Sequence, residues 1–477
     1  MHHTVILSDI HLAEAEPGEG LWMRYRQRRF SPDREIAAML AALRGDLAAR
    51  GPGHALSLVL DGDVFDFDAP RVVGDESVFH DEPRDAQHVV PVVDAILRDN
   101  PLFVCGVAGV LADGHSVVFV SGNHDVQLTL PEVRERVAQR LIEATCAELA
   151  SRGRPAAERD AASVRQRIAF RAWFHRTPDG VVIEHGNQYD SYCAYRYPMA
   201  PFAPGSRTIR PTMGSLATRL LVSRMGYFNP HVDSSFMLSL AGYVWHWMRY
   251  YALTRHSLVL AWAGGALRTI ATLLRIRDPE RRRRRRADVA ACARETAVHP
   301  QIVARHARLF APPAEDCIAL VLRELWLDRA GLLLLGLVMA TLWIVLAPRG
   351  LELYAVTPAL GLLAYEGLVP KVPLAALWQS MGRVARSVAK LHHARAVVFG
   401  HTHHPEGAWE KGVFFGNTGS WSAAFHDIEC TRPVSDERPL VWLSSDGGRM
   451  EGGLLAWCRG RFEPRVTRSS ALVAGGS

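Results

Sequence analysis

Cysteine is scarce in this chain. Its seven residues, Cys105, Cys146, Cys193, Cys292, Cys317, Cys430 and Cys458, are scattered through 477 positions, odd in number and never in CxxC spacing. That leaves no disulfide framework and no thiolate zinc site, and points to a reducing compartment. No sign of charge dominates either: 55 Lys and Arg stand against 49 Asp and Glu, for a net charge of +6 and a pI near 9.0. Much of that excess sits in one run, Arg281 to Arg286. There is little chain before the first apolar strand, Thr4 to Leu7, which leaves no room for a signal peptide and places the expected catalytic unit in the cytoplasm. Long apolar runs are also rare, and only Ala330 to Ala347 is free of charge over a length that approaches a bilayer.

What is present is a set of five polar clusters in fixed order: Asp9-Ile10-His11, Gly62-Asp63-Val64-Phe65-Asp66, Gly122-Asn123-His124-Asp125, Glu184-His185-Gly186-Asn187 and Gly400-His401-Thr402-His403. Four directly follow an apolar run rich in β-branched residues, and the fourth follows the shorter Val181-Val182-Ile183. Each polar residue therefore falls where a strand ends and a loop begins. Any one cluster alone is an ordinary turn; the ordered set of five is the signal.

The blocks resemble those of the calcineurin-like metallophosphoesterase family, D-x-H, G-D-x-x-D, G-N-H-D/E, H and G-H-x-H, with no substitution at a ligand position. The resemblance covers roughly residues 1 to 190 and 391 to 445. It implies an α/β fold, the calcineurin-like four-layer α/β/β/α sandwich, here with a large, mainly helical insertion. By length alone the chain is worth roughly three domains. The motif map argues instead for one discontinuous core, 1–190 and 391–477, interrupted by an insertion over 191–390.

A phosphate ester resists attack because its oxygens are already negative. Two divalent cations about 3.5 to 4 Å apart overcome this by neutralising those oxygens and acidifying a water between them. A mixed Asp, His and Asn donor set suits Mn, Fe or Zn better than a thiolate metal or calcium. Carried over position by position, the resemblance implies that Asp9, His11, Asp63 and His403 hold one ion, that Asn123, His185 and His401 hold the second, and that Asp63 bridges both. His124 is then a non-ligand facing the phosphate, oriented through its second ring nitrogen by Asp66. The segment Gly416-Asn417-Thr418-Gly419-Ser420-Trp421 looks like the one that follows the last His block in this family, and is expected to pack under the site. His2, His3, His392, His393, His404 and His426 fall outside the pattern and are read as ordinary histidines.

Between Asp125 and Glu184 the sequence predicts a charged helix over Pro131 to Ala150 and an Arg-rich stretch, Ser151 to Arg171, read together as a solvated helix pair. Pro198, Pro201, Pro204 and Pro211 mark an irregular exit from the core. Within the insertion, Ala330 to Ala347 is followed after Pro348-Arg349-Gly350 by a second apolar run, Leu351 to Val369, interrupted by Glu352, Pro358 and Glu366. Ligands before and after the insertion must meet on one side of any membrane, so complete crossings between them must be even in number or absent. Two runs joined by a tight turn fit a hairpin over 330–369, and the basic flanks, with Trp326 and Trp378 just outside, fit cytoplasmic ends. The stretch His256 to Ile276, below the aromatic cluster Tyr243, Trp245, Trp247, Tyr250 and Tyr251, reads as an interfacial helix. The opposing reading is that all three stretches are buried helices of a soluble cap or dimer interface.

These readings lead to an expected hydrolase, a metal-dependent phosphoesterase in which a metal-bridging hydroxide attacks a phosphate ester, the substrate being a lipid or lipid-linked metabolite at the cytoplasmic face of the cell membrane. Arg281 to Arg286 would contact anionic lipid, each basic residue being worth about 1 kcal/mol there; nucleic acid is not the expected partner. Three alternatives stay open: a soluble phosphodiesterase or protein phosphatase, a non-catalytic scaffold of the same fold, and a pyrophosphatase similar to the bacterial UDP-diacylglucosamine pyrophosphatases, which share the Ser-Asp-x-His-Leu, Gly-Asp-x-Phe-Asp, His-Gly and Gly-His-Thr-His layout. From the last this chain departs by His124, where an Arg is expected, and by a much longer insertion.

Overall fold

The computed structural model describes residues 1–15, 27–73, 76–78, 83–154, 160–203, 205–220, 245, 247–249, 251–252, 258–274, 281–325, 327–346, 355–368, 374–427 and 430–465. Its strands run β1 (His2–Leu7), β2 (Ala55–Asp61), β3 (Arg71–Val73), β4 (Glu76–Val78), β5 (Ser116–Val120), β6 (Ile168–Arg171), β7 (Phe174–Arg176), β8 (Val181–Glu184), β9 (Ala396–Phe399), β10 (Glu406–Glu410), β11 (Val413–Asn417), β12 (Arg438–Ser445), β13 (Met450–Cys458) and β14 (Arg461–Pro464).

They form two mixed sheets and a small β3–β4 ribbon. The seven-stranded sheet has the order β14-β13-β12-β1-β2-β5-β6, parallel from β1 to β6 and antiparallel from β1 out to β14. The five-stranded sheet has the order β10-β11-β9-β8-β7, with a parallel centre of β11, β9 and β8. In both, the buried central strands are Val- and Ile-rich runs, as parallel strands covered on both faces require.

Alternation along these strands sends one set of side chains to each face. Ile6, Val59, Val118 and Val441 of the first sheet meet Val181, Ile183, Val398 and Phe414 of the second in one shared cluster. Val5, Leu7, Leu58 and Leu60 face the other way, against the helices Asp33–Ala49, Ala86–Asp99, Pro101–Ala112 and Pro131–Ser151. The outer face of the second sheet, Phe174, Val182, Val397 and Phe399, is covered by Val289, Cys292, Ala293 and Val303 and by Met381, Ala385 and Val388. Each fully buried apolar side chain contributes roughly 1.5–3 kcal/mol relative to exposure, so both outer faces depend on these helices.

One expectation changes. The stretch after Pro131–Ser151 carries a second, largely exposed helix over Ala161–Gln166, with Val164 buried, but then leaves the helical reading, because Ile168–Arg171 pairs with β5 in the main sheet. Its alternation of Ile168 and Phe170, both buried, is a strand pattern that the surrounding arginines obscured. The helix Pro131–Ser151 is itself packed along Val133, Val137, Ala138 and Leu141. The insertion's helices Arg281–Thr296, Pro300–His306 and Leu374–His392 supply the layer over the second sheet.

The helix Leu258–Leu274 turns Ala266 into a small cluster with Met213, Ala314, Val321 and Leu325 while Leu267 is exposed. Trp245 and Trp247 are exposed and Tyr251 is buried. His256, Arg275, Ile276, Tyr243, Tyr250, Trp326, Pro204, Lys371, Pro348 to Gly350 and Leu351 to Tyr354 lie outside the described residues, as do Val369 and the side chains of Arg281 to Arg285, Glu366 and Trp378. Arg286 is exposed.

Desolvation acts on two imidazoles, the part-buried His175 and the buried His392. His175 and His392 are each lowered from 6.5 to about 4, in both cases chiefly by desolvation. The unfolded chain therefore takes up protons before the folded one, so the stability these groups contribute is complete above pH 6.5 and is lost as pH falls towards 4. Urea denaturation across that range should show a falling midpoint, and replacing His175 by Phe should flatten the fall; an unchanged slope in the variant would contradict the assignment.

Candidate metal centre

The carboxyl ends of the parallel strands in both sheets point to one place, the edge at which open α/β sheets characteristically bind ligands. Asp9 and His11 follow β1, Asp63 and Asp66 follow β2, Asn123 and His124 follow β5, His185 follows β8, and His401 with His403 follow β9. The backbone is bent to aim them. Of ten described non-glycine residues with positive φ, five are Asp9, His11, Asp63, His401 and His403, at 50° to 68°. Such conformations cost of order 1–3 kcal/mol each and persist only where the surroundings fix them. The site glycines belong to the same geometry: a Cβ on Gly62 would clash with the His185 side chain, and one on Gly122 would overlap Asp63 Oδ1.

Asp9 and Asp63 are buried, and each gives one oxygen to the backbone. Asp9 Oδ2 accepts the His401 amide at 3.0 Å and the Ser8 hydroxyl. Asp63 Oδ1 accepts the His124 amide at 2.7 Å. Their other oxygens face imidazoles. Asp9 Oδ1 lies 3.1 Å from His403 Nε2 and 3.9 Å from His185 Nε2, while Asp63 Oδ2 lies 3.1 Å from His185 Nε2 and 4.0 Å from His11 Nε2. Two three-residue groups with donor atoms within 4.8 Å of one another result, Asp9 with His11 and His403, and Asp63 with His185 and His401. Between them they hold six of the seven expected ligands.

Asn123, the seventh, sits in the same turn, its carbonyl accepting the Tyr195 hydroxyl at 2.9 Å. Its Oδ1, with Asp9 Oδ1 and His185 Nε2, is a buried atom that forms no hydrogen bond. His185 Nδ1 lies 2.9 Å from the Asp61 carbonyl, which only an N–H can face, so Nε2 is the nitrogen turned to the carboxylates, the position a cation would take from a proton. Buried polar atoms left unsatisfied are costly. Buried carboxylate and amide oxygens and an imidazole nitrogen are the donor types a divalent cation takes, and the residues fit the implied ions.

The electrostatics agree. Burial pushes the Asp9 carboxyl up, but His185 and His403 outweigh it and hold it at about 2. Asp63 lies well below the usual carboxylate range for the same reason, burial being overcome by His185 and His124. Burial lowers His185, yet Asp63 and Asp9 together raise it to about 10. His11 goes to about 4, through burial and the nearby His124. The field of two buried carboxylates that holds a proton on His185 would equally hold a cation.

His124 stands beside this group. Its Nδ1 lies 3.1 Å from Asp66 Oδ1, as expected, and 3.6 Å from Asp68 Oδ2. Burial disfavours its cation, but Asp66 and Asp63 raise it well above 6.5. The ring also stands edge-on to His11 at 4.8 Å, and His11, Asp66 and His124 form a further group of close donor atoms. The Thr418 to Ser422 turn packs beneath, with Trp421 and Ser422 amides donating to the Asp9 carbonyl at 3.0 and 3.1 Å and Thr418 touching Ser8. His404 is turned away, half exposed and 3.4 Å from Glu406.

Three residues join the site that the motif reading left without a role. Asp190 Oδ2 lies 3.1 Å from His401 Nε2, and with Cys193 and His401 it makes another close group. Asp125 braces two loops, accepting the amides of Gly122 at 2.6 Å and Val64 at 2.8 Å. Asp68, lifted to about 6 by burial against the pull of His124, is the third. Asp68 was open to detection as the second acid of Asp66-Phe67-Asp68, and Asp190 as the acid five residues after His185.

No protein-family model matches the chain, and no curated protein matches it.

Elemental analysis of protein purified without chelator should find two equivalents of a divalent transition metal per chain. Asp63→Asn should lose most of both, because one side chain faces both groups. Full metal content in that variant would overturn the ligand assignment.

Proposed function

We propose that this chain is a binuclear metallophosphoesterase of the calcineurin-like type, acting on a phosphate ester at a membrane surface. The observation that carries the reading is the convergence of Asp9, His11, Asp63, Asn123, His185, His401 and His403 on one edge of two sheets, with His124 alongside. Support comes also from the layering, helices outside each of two facing sheets, which is the α/β/β/α arrangement the resemblance implies.

Two divalent cations, Mn, Fe or Zn, would when bound neutralise the phosphate oxygens and acidify a water. The chain's own residues do the rest. The water gives a proton to solvent and its oxygen bonds to phosphorus, the ester P–O bond breaks, and the alcohol oxygen leaves with a proton supplied by His124, which takes one back from solvent. Asp66 takes the His124 Nδ1 proton as a hydrogen bond, which leaves Nε2 for the substrate. The neighbouring carboxylates keep the ring cationic, the form that donates. His124→Ala should retain both metals yet lose about 100- to 10,000-fold in turnover of an aryl phosphate. Loss of metal with activity per bound ion intact would make His124 a ligand instead.

The membrane half of the proposal rests on the helix Leu327–Leu346. Its most apolar 18 residues have a mean hydropathy of 2.1, and none of them is buried within the described protein. Leu334, Ile344, Val345 and Leu346 are 60–74% exposed. At 1.5 Å per residue the helix is about 30 Å long, the thickness of a hydrocarbon core. In water so large an apolar surface is a liability, and in lipid it is satisfied. The helix Thr357–Leu368 packs beside it, Tyr365 donating to Asp328 at 2.5 Å. Its twelve described residues reach about 18 Å, less than the thickness of a hydrocarbon core. Both ligand sets must lie on one side, so the pair is read as embedded or re-entrant rather than as two complete spans. The active edge would then face the cytoplasm at the bilayer surface, close to a lipid or lipid-linked substrate.

Replacing Ala330 to Val369 by a short polar linker should move the protein from the membrane to the soluble fraction, abolish activity on lipid phosphate and spare activity on aryl phosphate. A full-length protein that is monodisperse without detergent, with both activities indifferent to the deletion, would reduce the pair to an ordinary cap.

A further inference from the structure

His401 belongs to two groups of close donor atoms, one with Asp63 and His185 and the other with Asp190 and Cys193. Asp190 shares no such group with Asp63 or His185, so it stands behind the ring and not among the metal ligands. Its contact is with one nitrogen, Asp190 Oδ2 lying 3.1 Å from His401 Nε2. Burial pushes the Asp190 carboxyl up, but the bond to His401 and the Tyr192 amide outweigh it and leave it below the usual range. A carboxylate only accepts, so Nε2 carries the hydrogen, and the lone pair of the neutral ring is then on Nδ1. No described residue hydrogen-bonds that atom.

The acid is held from several directions. Asp190 Oδ1 accepts the Tyr192 amide at 2.9 Å, and the Asp190 carbonyl accepts the amides of Cys193 at 3.1 Å and Ala194 at 2.7 Å. Asn187 closes the turn, its Nδ2 donating to the Cys193 carbonyl at 3.1 Å. The insertion clamps it from outside, the Gly214 amide donating to the Tyr192 carbonyl at 2.8 Å and the Ala314 amide to the Ser191 carbonyl at 2.7 Å. A carboxylate so restrained selects one tautomer of His401. His185 is the opposite case, with Nδ1 turned to the Asp61 carbonyl and Nε2 to Asp63.

We infer that Asp190 is the positioning residue for the second ion: it fixes His401 with the hydrogen on Nε2, so that Nδ1 is the ligand atom and the two histidines of this ion present opposite nitrogens. The inference rests on the two-ion reading and adds to it an acid that none of the ligand blocks contains. Asp190 does not touch the ion. Its charge acts through the ring, because a carboxylate on the far nitrogen makes the near one a stronger donor. Partners of this kind are worth about 10- to 100-fold in metal affinity.

Two readouts other than activity test this. Ring-nitrogen NMR of the metal-free, histidine-labelled protein, with His401 assigned from its loss in His401→Gln, should show the hydrogen on Nε2 in the wild type and a mixture of tautomers in Asp190→Ala. Manganese, which has little affinity for the Cys193 thiol, is then titrated into the metal-free protein while the free ion is followed by electron paramagnetic resonance. The wild type should take up two ions. Asp190→Ala should bind one of them about 10- to 100-fold more weakly and the other unchanged, and the isosteric Asp190→Asn, which keeps an acceptor without the charge, should lie between. Asn187→Ala loosens the same turn without touching His401, and should match the wild type in tautomer and in both affinities. A hydrogen on Nδ1 in the wild type, unchanged manganese affinities in Asp190→Ala, or an equal loss in Asn187→Ala overturns the inference while two bound ions keep the two-ion reading. A wild type that binds no manganese overturns that reading, and with it the ligand role of Nδ1, even where the tautomer is as stated.

Discussion

Two carboxylates buried within 4 Å of one imidazole constrain the whole molecule. Asp9 and Asp63 approach His185 Nε2 at 3.9 and 3.1 Å, with no solvent to screen them. Buried charge at that density is tolerated only if it is paired and hydrogen-bonded. The fold meets this in two ways, with backbone amides from opposite loops on one oxygen of each acid and a ring of imidazoles around the other. Five left-handed non-glycine residues and the glycines at 62 and 122 are the conformational cost of that arrangement. Strand order, sheet packing and the Trp421 turn all act to hold those loops together.

The same constraint connects the insertion to the centre. Glu184, the residue before His185, accepts from Trp173 at 2.8 Å, from Gln188 at 2.6 Å and from Tyr189 at 3.0 Å, and lies 3.2 Å from His306. His306 in turn lies 3.0 Å from His392. Helices that carry His306 and His392 thus grip the strand that carries His185, so the layer over the second sheet sets the position of a candidate ligand. On the proposed reading, a membrane-embedded helical pair that joins this layer would bring the bilayer surface to the metal edge without any separate domain.

The centre was legible in the sequence because each of its residues sits at a strand end in a short block with its own spacing. Asp190 and Asp68 were less so, because a single acid a few residues beyond a block has no pattern of its own. The outer layer was hidden for a different reason. Val289, Cys292 and Ala293 follow helical spacing, but the six arginines before them dominate the stretch and suggest a solvated or lipid-facing segment. Strand β6 was lost in the same way, its two apolar residues set among arginines. Periodicity of 2 or 3.6 is carried by few residues in such stretches, and tertiary contact decides what they become.

The claim that most of this depends on is that Asp63 joins two metal ions. Electron paramagnetic resonance of the manganese-loaded protein addresses it directly, because two ions about 3.5 to 4 Å apart through a shared carboxylate are exchange-coupled. The account predicts a coupled dinuclear spectrum in the wild type that collapses to a mononuclear signal, or to none, in Asp63→Asn. Uncoupled manganese in the wild type, or coupling that survives the substitution, would contradict it.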